Sequence, residues 1–504
     1  MLRKIRLTLA ILFFILITLL FVDFTGTLHA WFGWLAKIQF MPAILAVNAG
    51  IIVLLILLTL LLGRVYCSVI CPLGVFQDLV AWFGKRGKKL PYSYSRAINW
   101  LRYGIFVLFL AALVAGVSAF FALLDPYGAY GRMANNLFLP VVQWGNNIKA
   151  SIAEHFNSYA FYSTDIWLKS LPTFLVAAVT FVVVSVLAWR NGRTYCNTIC
   201  PVGTFLGFFS RFSLFQIQIN EHQCNQCNLC VRNCKASCID SKTSKIDNSR
   251  CVSCMNCIEK CNHDAIGYRF AYSKQGISKG SKAPDLSDKP DEGRKGFLTA
   301  LLILAASALK AQVIPKATDI KADGGLASVL AKKSPNRSTP ITPAGSLSAR
   351  NMKQHCTACQ LCVTVCPNNV LRPSTSPDTF MQPFMSYERG YCRPECVKCS
   401  EVCPTSAIHK ITKVEKSSIQ IGHAVCVHER CIPITDKQQC DNCEHHCPTN
   451  AITMVPSVAG DDKSLKIPVV NEELCIGCGV CETLCPARPL SAIYVEGHLV
   501  HRII

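Results

Sequence analysis

The chain is poor in acidic side chains. In 504 residues, 31 Asp and Glu stand against 51 Lys and Arg, a formal net charge of +20. Such an excess suits nucleic acid or anionic lipid. No nucleic-acid-binding module is visible, however, and much of the excess lies in loops beside apolar runs, where Lys and Arg hold a loop in the cytoplasm. The chain also lacks a G-x-G-x-x-G fingerprint after a strand, which argues against a self-contained nicotinamide or flavin dehydrogenase. It has no C-x-x-C-H stretch to attach a haem. No small-residue cleavage site follows the first apolar run, Leu7–Val22, which leads into Asp23-Phe24-Thr25-Gly26. That run is therefore read as a membrane helix rather than a signal peptide, its basic end (Arg3, Lys4, Arg6) inside.

What the chain has in excess is cysteine: 30 residues, of which 24 fall into six short runs. The regular form is Cys475-x2-Cys478-x2-Cys481-x3-Cys485-Pro486. This spacing wraps three thiolates around one [4Fe–4S] cube and sends the fourth to a neighbouring cube. Variants begin at Cys224, Cys251, Cys356, Cys392 and Cys431. Structural zinc sites seldom repeat as four close cysteines ending in Pro, and disulfides need no triplet spacing. Six runs imply three pairs and six [4Fe–4S] clusters. Crossing the fourth ligands within each pair gives six sets. These are Cys224, Cys227, Cys230 with Cys261; Cys251, Cys254, Cys257 with Cys234; Cys356, Cys359, Cys362 with Cys403; Cys392, Cys396, Cys399 with Cys366; Cys431, Cys440, Cys443 with Cys485; and Cys475, Cys478, Cys481 with Cys447. In the fifth set either Cys426 or Cys431 must loop in, and Cys431 is favoured. Cys238 is left over as a buried thiol. Lys235 and Asn262 stand where Pro usually follows the last cysteine. Ala-Ile pairs at 407–408, 451–452 and 492–493 have the look of a short strand following each Cys-Pro helix.

The first 215 residues read as an α-helical membrane domain. Further spans are expected at Ala43–Gly63, Trp100–Leu124 and Leu171–Trp189, long enough for the ~30 Å hydrocarbon core. Residues 125–170 are expected outside. Two loops form an internal repeat: Gly63-Arg64-Val65-Tyr66-Cys67 through Cys71-Pro72-Leu73-Gly74 recurs as Gly192-Arg193-Thr194-Tyr195-Cys196 through Cys200-Pro201-Val202-Gly203. Two spans separate the copies, so the repeat is parallel and both C-x3-C-P motifs face the same side. Pro72 and Pro201 suit the first turn of a new helix, which puts Cys71 and Cys200 at helix N-termini, where a thiolate is favoured. Cys67, Cys71, Cys196 and Cys200 are thus a redox-active thiol pair, four thiols meeting at one metal or cluster, or merely small residues at a packing corner. Arg64, Tyr66, Arg193 and Tyr195 sit where polar groups can bond a quinone head, or where Arg snorkels and Tyr belts the interface. Asp125-Pro126-Tyr127-Gly128 is the outer equivalent.

Residues 216–270 hold the first cluster pair, and 271–295 read as a polar linker. Arg294-Lys295 precede the apolar run Phe297–Leu309, so 296–313 are expected to form an export signal or anchor, a fifth crossing. A Pro-containing linker at 314–350 leads to an α+β ferredoxin-like domain of four clusters at 351–504.

On these motifs the chain resembles two ferredoxin-type families of periplasmic nitrate reductase systems. Residues 1–270 resemble the NapH type, with four spans, two C-x3-C-P motifs and two clusters. Residues 290–500 resemble the NapG/MauM type, with an export signal and four clusters. The resemblance implies a fused electron carrier of the bacterial inner membrane. It would take electrons from the membrane quinone pool, with quinol as substrate, to a periplasmic reductase or cytochrome, and work alongside other membrane subunits. In that arrangement the first cluster pair is cytoplasmic and the last four clusters are periplasmic. Two other expectations stand beside it: a maturation or regulatory protein of a respiratory metalloenzyme, and quinol-independent export of electrons from a cytoplasmic donor.

Overall fold

The computed structural model describes residues 2–86, 91–158, 160–272, 320–321, 328–458, 461 and 464–504. Among the described residues two helices are long and apolar enough to cross a membrane, α1 (Leu2–Val22) and, later in the chain, Leu171–Asn191. Each has 21 residues, about 31 Å at ~1.5 Å per residue. The other two expected spans are broken. The run at 43–63 stops at Val47 (φ 52°), and Asn48 then caps α2 (Ala49–Leu62) by accepting from Ile51 N–H. The run at 100–124 stops at Gly116 (φ 70°), which ends α4 (Asn99–Val114) ahead of a short helix, Ser118–Leu124. Pro72 opens α3 (Pro72–Arg86) and Pro201 opens α8 (Pro201–Ser210).

Between them lie α5 (Pro126–Met133), α6 (Leu139–His155) and α7 (Leu171–Asn191). Every residue of α5 is buried, although the sequence suggests an outer segment. It packs against α3 and α7, and its Tyr130 ring meets Phe21 of α1 and Phe76 of α3. The outward faces of the long helices stay bare: Ile5, Leu12 and Leu19 on α1, Leu54 and Leu57 on α2, Val107 and Leu108 on α4, Val179 and Val182 on α7 are all exposed. A belt of that kind is far more than a water-soluble surface leaves uncovered.

The first cluster pair is a small domain closed by the two-stranded sheet of β1 (Phe215–Ile219) and β2 (Ile266–Phe270), with Ile217, Val231, Ile239 and Ile266 inside. It sits at the start of α1 and the end of α2. Arg3 donates to Asn256 Oδ1 (3.1 Å) and pairs with Glu259, and the Leu62 carbonyl accepts from Ser253 Oγ (3.3 Å) and Tyr268 OH (3.0 Å).

The four-cluster domain is built from paired short strands: β3 (Ile419–Cys426) runs antiparallel to β6 (Ile493–Ile503), and β4 (Ile452–Pro456) to β5 (Lys466–Val470). Strands begin at Ile452 and Ile493 but not at Ile408. Residues 332–350, which composition assigns to a linker, are seated on this domain, with Ile341 buried and its carbonyl accepting from Met385 N–H. The domain sits at the other end of α1. Lys398 Nζ donates to the Thr25 carbonyl (2.9 Å), and Lys169 Nζ, just before α7, donates to Val363 O (3.1 Å). Trp167 lies between Arg372 and Arg389, 4.6 and 4.5 Å from its ring centre, a doubled cation–π contact. Its first cluster loop rests directly on α5, where Gly128 and Gly131 face the Thr357 and Cys359 carbonyls.

Phe270–Ala331 separate off as a second unit, in which Ile320–Lys321 pairs with Ser328–Val329. The expected anchor at 296–313 and most of the 271–295 linker lie outside the described residues.

A Cβ at Gly131 would stand 2.5 Å from the Cys359 carbonyl, whereas Gly145 on α6 has open space around it. Gly131→Ala should therefore lower stability by ~1–3 kcal/mol, read as thermal unfolding in detergent. Gly145→Ala should leave it unchanged or raise it slightly.

Candidate metal centres

In the four regular runs, the residues on either side of the second cysteine adopt left-handed backbone: Gln226 and Asn228, Ser253 and Met255, Ala358 and Gln360, Gly477 and Gly479. Six of these eight are not glycine, and each such residue costs about 1–2 kcal/mol. A conformation repeated at the same two offsets in four loops is imposed by what the loop surrounds. Alternating left- and right-handed residues turn successive N–H groups inward, the concavity found at iron–sulfur sites.

The fold brings the cysteines of each crossed set together. Cys224, Cys227, Cys230 and Cys261 line one cavity. Cys251, Cys254, Cys257 and Cys234 line a second, and Cys392, Cys396, Cys399 and Cys366 a third. A fourth is lined by Cys431, Cys440, Cys443 and Cys485. Cys403 lies beside Cys356, Cys359 and Cys362, Cys447 lies beside Cys475 and Cys478, and Cys481 lies beside Cys475 and Cys478. Two cavities carry a fifth thiol: Cys426 beside Cys431, and Cys238, whose sulfur is 3.6 Å from that of Cys234. Cys392 N–H donates to the Cys478 carbonyl (3.0 Å), so the second cluster loop of the four-cluster domain adjoins the last one directly. Lys416 Nζ donates to Cys392 Sγ (3.1 Å) and to the Arg393 and Cys396 carbonyls. Composition gave no sign of this buried cation beside a ligand.

The C-x3-C-P cysteines converge as well. Cys67, Cys71, Cys196 and Cys200 are all buried and lie within electrostatic reach of one another. The two repeats exchange arginines. Arg64 reaches the second copy, donating to the Cys196 carbonyl (3.3 Å) and Asn197 Oδ1 (2.9 Å). Arg193 reaches the first, donating to the Cys67 carbonyl (2.7 Å). Each guanidinium also faces its own copy's first thiol, at 3.8 Å for Cys67 and 4.0 Å for Cys196. Gly74 and Gly203 make room: a Cβ on either would meet the opposite arginine within 2.8 Å. Burial pushes the Cys71 and Cys200 thiols well up, which outweighs the pull of the helix N-termini that start at Pro72 and Pro201. Arg64 and Arg193 are fully buried rather than facing an interface. Tyr66 OH is committed to Gln39 Oε1 and Phe40 N–H, and Tyr195 is buried against Cys196 and Cys200.

Asp78 on α3 ties this junction to the first cluster pair. It meets Arg193 Nε (2.8 Å), Arg6 Nη1 (3.1 Å) and Lys235 Nζ (3.3 Å). Lys235 is the residue that replaces the usual Pro after Cys234, and its carbonyl accepts from Arg193 N–H (2.8 Å). Burial alone would raise the Asp78 pKa, but Arg193, Lys235 and Arg6 hold it far below the usual carboxylate range.

Two outcomes follow. Asp78→Asn leaves two buried arginines and a half-buried lysine without their anion and should cost ~3–5 kcal/mol, measured as thermal loss of the first pair's visible absorbance. Since the folded pKa is depressed, that stabilisation is complete at neutral pH and is lost only as pH falls below the ordinary carboxylate range. Lys416→Met removes a charged hydrogen bond worth ~1.5–3 kcal/mol. It should lower one outer midpoint potential by about 60–130 mV in an EPR-monitored titration.

A family model described as "4Fe-4S binding domain" matches residues 45–91 and 170–220, the two repeats, and one described as "4Fe-4S dicluster domain" matches residues 438–488. The chain is 25% identical over 279 residues to an uncharacterized protein, MJ0750, of Methanocaldococcus jannaschii, covering 54% of this chain and 97% of that protein. It is 24% identical over 270 residues to the putative electron transport protein YccM of Escherichia coli, covering 52% and 64%. It is 28% identical over 152 residues to the methylamine utilization ferredoxin-type protein MauM of Methylobacillus flagellatus, covering 29% and 64%. The chain thus spans just under two thirds of the length of the last two. No solved structure matches. With cysteine loops of this shape and relatives named for electron transport and ferredoxins, the chain is similar to ferredoxin-type proteins, and its chemistry is iron–sulfur electron transfer.

Proposed function

We propose that the chain takes electrons from membrane quinol and passes them through six [4Fe–4S] clusters to a periplasmic redox partner. The observation that carries this reading is the placement of cysteine sets at the two ends of α1, a helix of membrane length: Arg3 touches the inner pair, and Thr25, just past the other end, touches the outer domain. Basic residues mark the first end as cytoplasmic, which makes the four-cluster domain periplasmic and the apolar belt lipid-facing. Clusters of this type supply one-electron transfer, so a two-electron donor such as quinol is split between them. The chain's own residues hold the thiols in fixed order, fill the inter-helix space with buried polar side chains, and exclude water from the sites nearest the helices.

A second reading has its own support. Cys227 is exposed and Cys224, Cys230 and Cys261 are half-buried, unlike the second inner set, where Cys254, Cys257 and Cys234 are buried. A set so open at the inner end suits entry of electrons from a soluble low-potential donor.

The test is anaerobic. The protein in detergent receives a reduced menaquinol analogue while cluster absorbance is followed. Bleaching that a quinone-site inhibitor blocks is the expected result. Reduction by a soluble ferredoxin but not by quinol would replace the first reading with the second.

A further inference from the structure

Two thiols per repeat are too few to hold a cube, and the fold supplies the missing half. We propose that Cys67 and Cys71 from the first repeat, with Cys196 and Cys200 from the second, together bind one further iron–sulfur cluster, and that it links the inner pair to the outer four. The proposal rests on the electron-transfer reading and names a site within it.

Charge is the first argument. Arg6, Arg64, Arg193 and Lys235 crowd this junction, and the one carboxylate among them is Asp78, which Arg6, Arg193 and Lys235 share. Arg64 is fully buried and donates only to neutral oxygens and to Cys67 Sγ. Its Nε, and Arg193 Nη2, have no partner among the described residues. Buried cations need an anion close by. Four thiolates around an iron–sulfur core are net negative, more so once reduced, and they sit where both guanidinium groups point.

Second-layer geometry is the next argument. Gln77 Nε2 donates to Cys196 Sγ (3.2 Å), and Gly203 N–H donates to Cys200 Sγ (3.4 Å). Hydrogen bonds onto ligand sulfurs orient ligands and tune a cluster. Thiols in a mere packing corner have no use for two buried guanidinium groups and an amide.

Position is the third. On one side, Arg64 Nη1 donates to the Ser249 carbonyl (3.1 Å), two residues before Cys251, and Arg193 N–H to the carbonyl next to Cys234. On the other side, Tyr195 is buried within electrostatic reach of Cys196, Cys200 and Arg132 of α5, and α5 carries the Cys359 loop on its glycines. The thiols and the first outer set are therefore separated by about one helix, ~10–12 Å across. One electron enters from the inner pair and one leaves toward Cys356, Cys359, Cys362 and Cys403, with no bond made or broken.

The experiment uses the full chain, purified anaerobically. Iron above the ~24 per chain that six cubes need, with a matching extra Mössbauer component, is expected. Cys71→Ala/Cys200→Ala should lose that component and one EPR signal while the other signals stay. Gln77→Leu removes no ligand and should shift the midpoint potential of that same signal alone, which decides the matter if the double variant does not fold. In proteoliposomes, dithionite on the inner face should reduce the outer clusters of the native chain but not of the cysteine variant. Iron at ~24 in the native chain, an unchanged spectrum in the cysteine variant, or no shifted signal in Gln77→Leu would each overturn the proposal. Quinol bleaching with none of these iron changes would sink this site and leave the quinol reading standing. The extra cluster without quinol bleaching would do the reverse.

Discussion

The constraint on which this molecule depends is that a single run of cysteines cannot surround a cube alone. Three thiols come from one loop and the fourth arrives from another run, so each cavity is closed by residues distant in sequence: Cys261 completes the set begun at Cys224, and Cys485 the set begun at Cys431. Local loop geometry and long-range topology are thereby fixed together. The left-handed residues in the loops are tolerable only because this closure holds them, which is the usual way strained backbone persists at a functional site.

The helical half follows the same logic with different atoms. There, each repeat contributes two thiols and sends one arginine into the other repeat, where the guanidinium occupies space that Gly74 or Gly203 leaves open. The exchange makes the two halves one object. Asp78 then carries the connection outward to Lys235 and the inner pair, so that the departure from the usual Cys-Pro at Cys234 acquires a purpose: proline has no ammonium to offer.

Much of this was legible before any coordinates. Cysteine spacing is set by the size of what the loop encloses, so the grouping of thiols could be read from intervals alone, and Pro72 and Pro201 announced their helices through their fixed φ. Spans at 43–63 and 100–124 were misread as continuous because hydropathy does not register the left-handed turns at Val47 and Gly116. The burial of α5 was missed for a related reason. Gly128, Ala129 and Gly131 look like loop residues in one dimension, yet their smallness is what admits a neighbouring backbone. Arg64 and Arg193 looked like interfacial side chains because a sequence records charge, not the partner across a repeat. Lys416 stands 24 residues from Cys392, with nothing in composition to link them.

The seat of the outer domain has a bearing on how the molecule is put together. The helix from Pro126 to Met133 is covered on one side by the Thr357–Cys359 loop and on the other by the long apolar helices, and with its N-cap Asp125 it carries Arg132 into the interior. The first 270 residues therefore do not finish their own interior. The C-terminal domain is its lid: the Thr357 and Cys359 carbonyls close over Gly128 and Gly131, so the two regions share one interior, and correct folding of the Cys359 loop is a condition for finishing the helical half as well as its own cluster site.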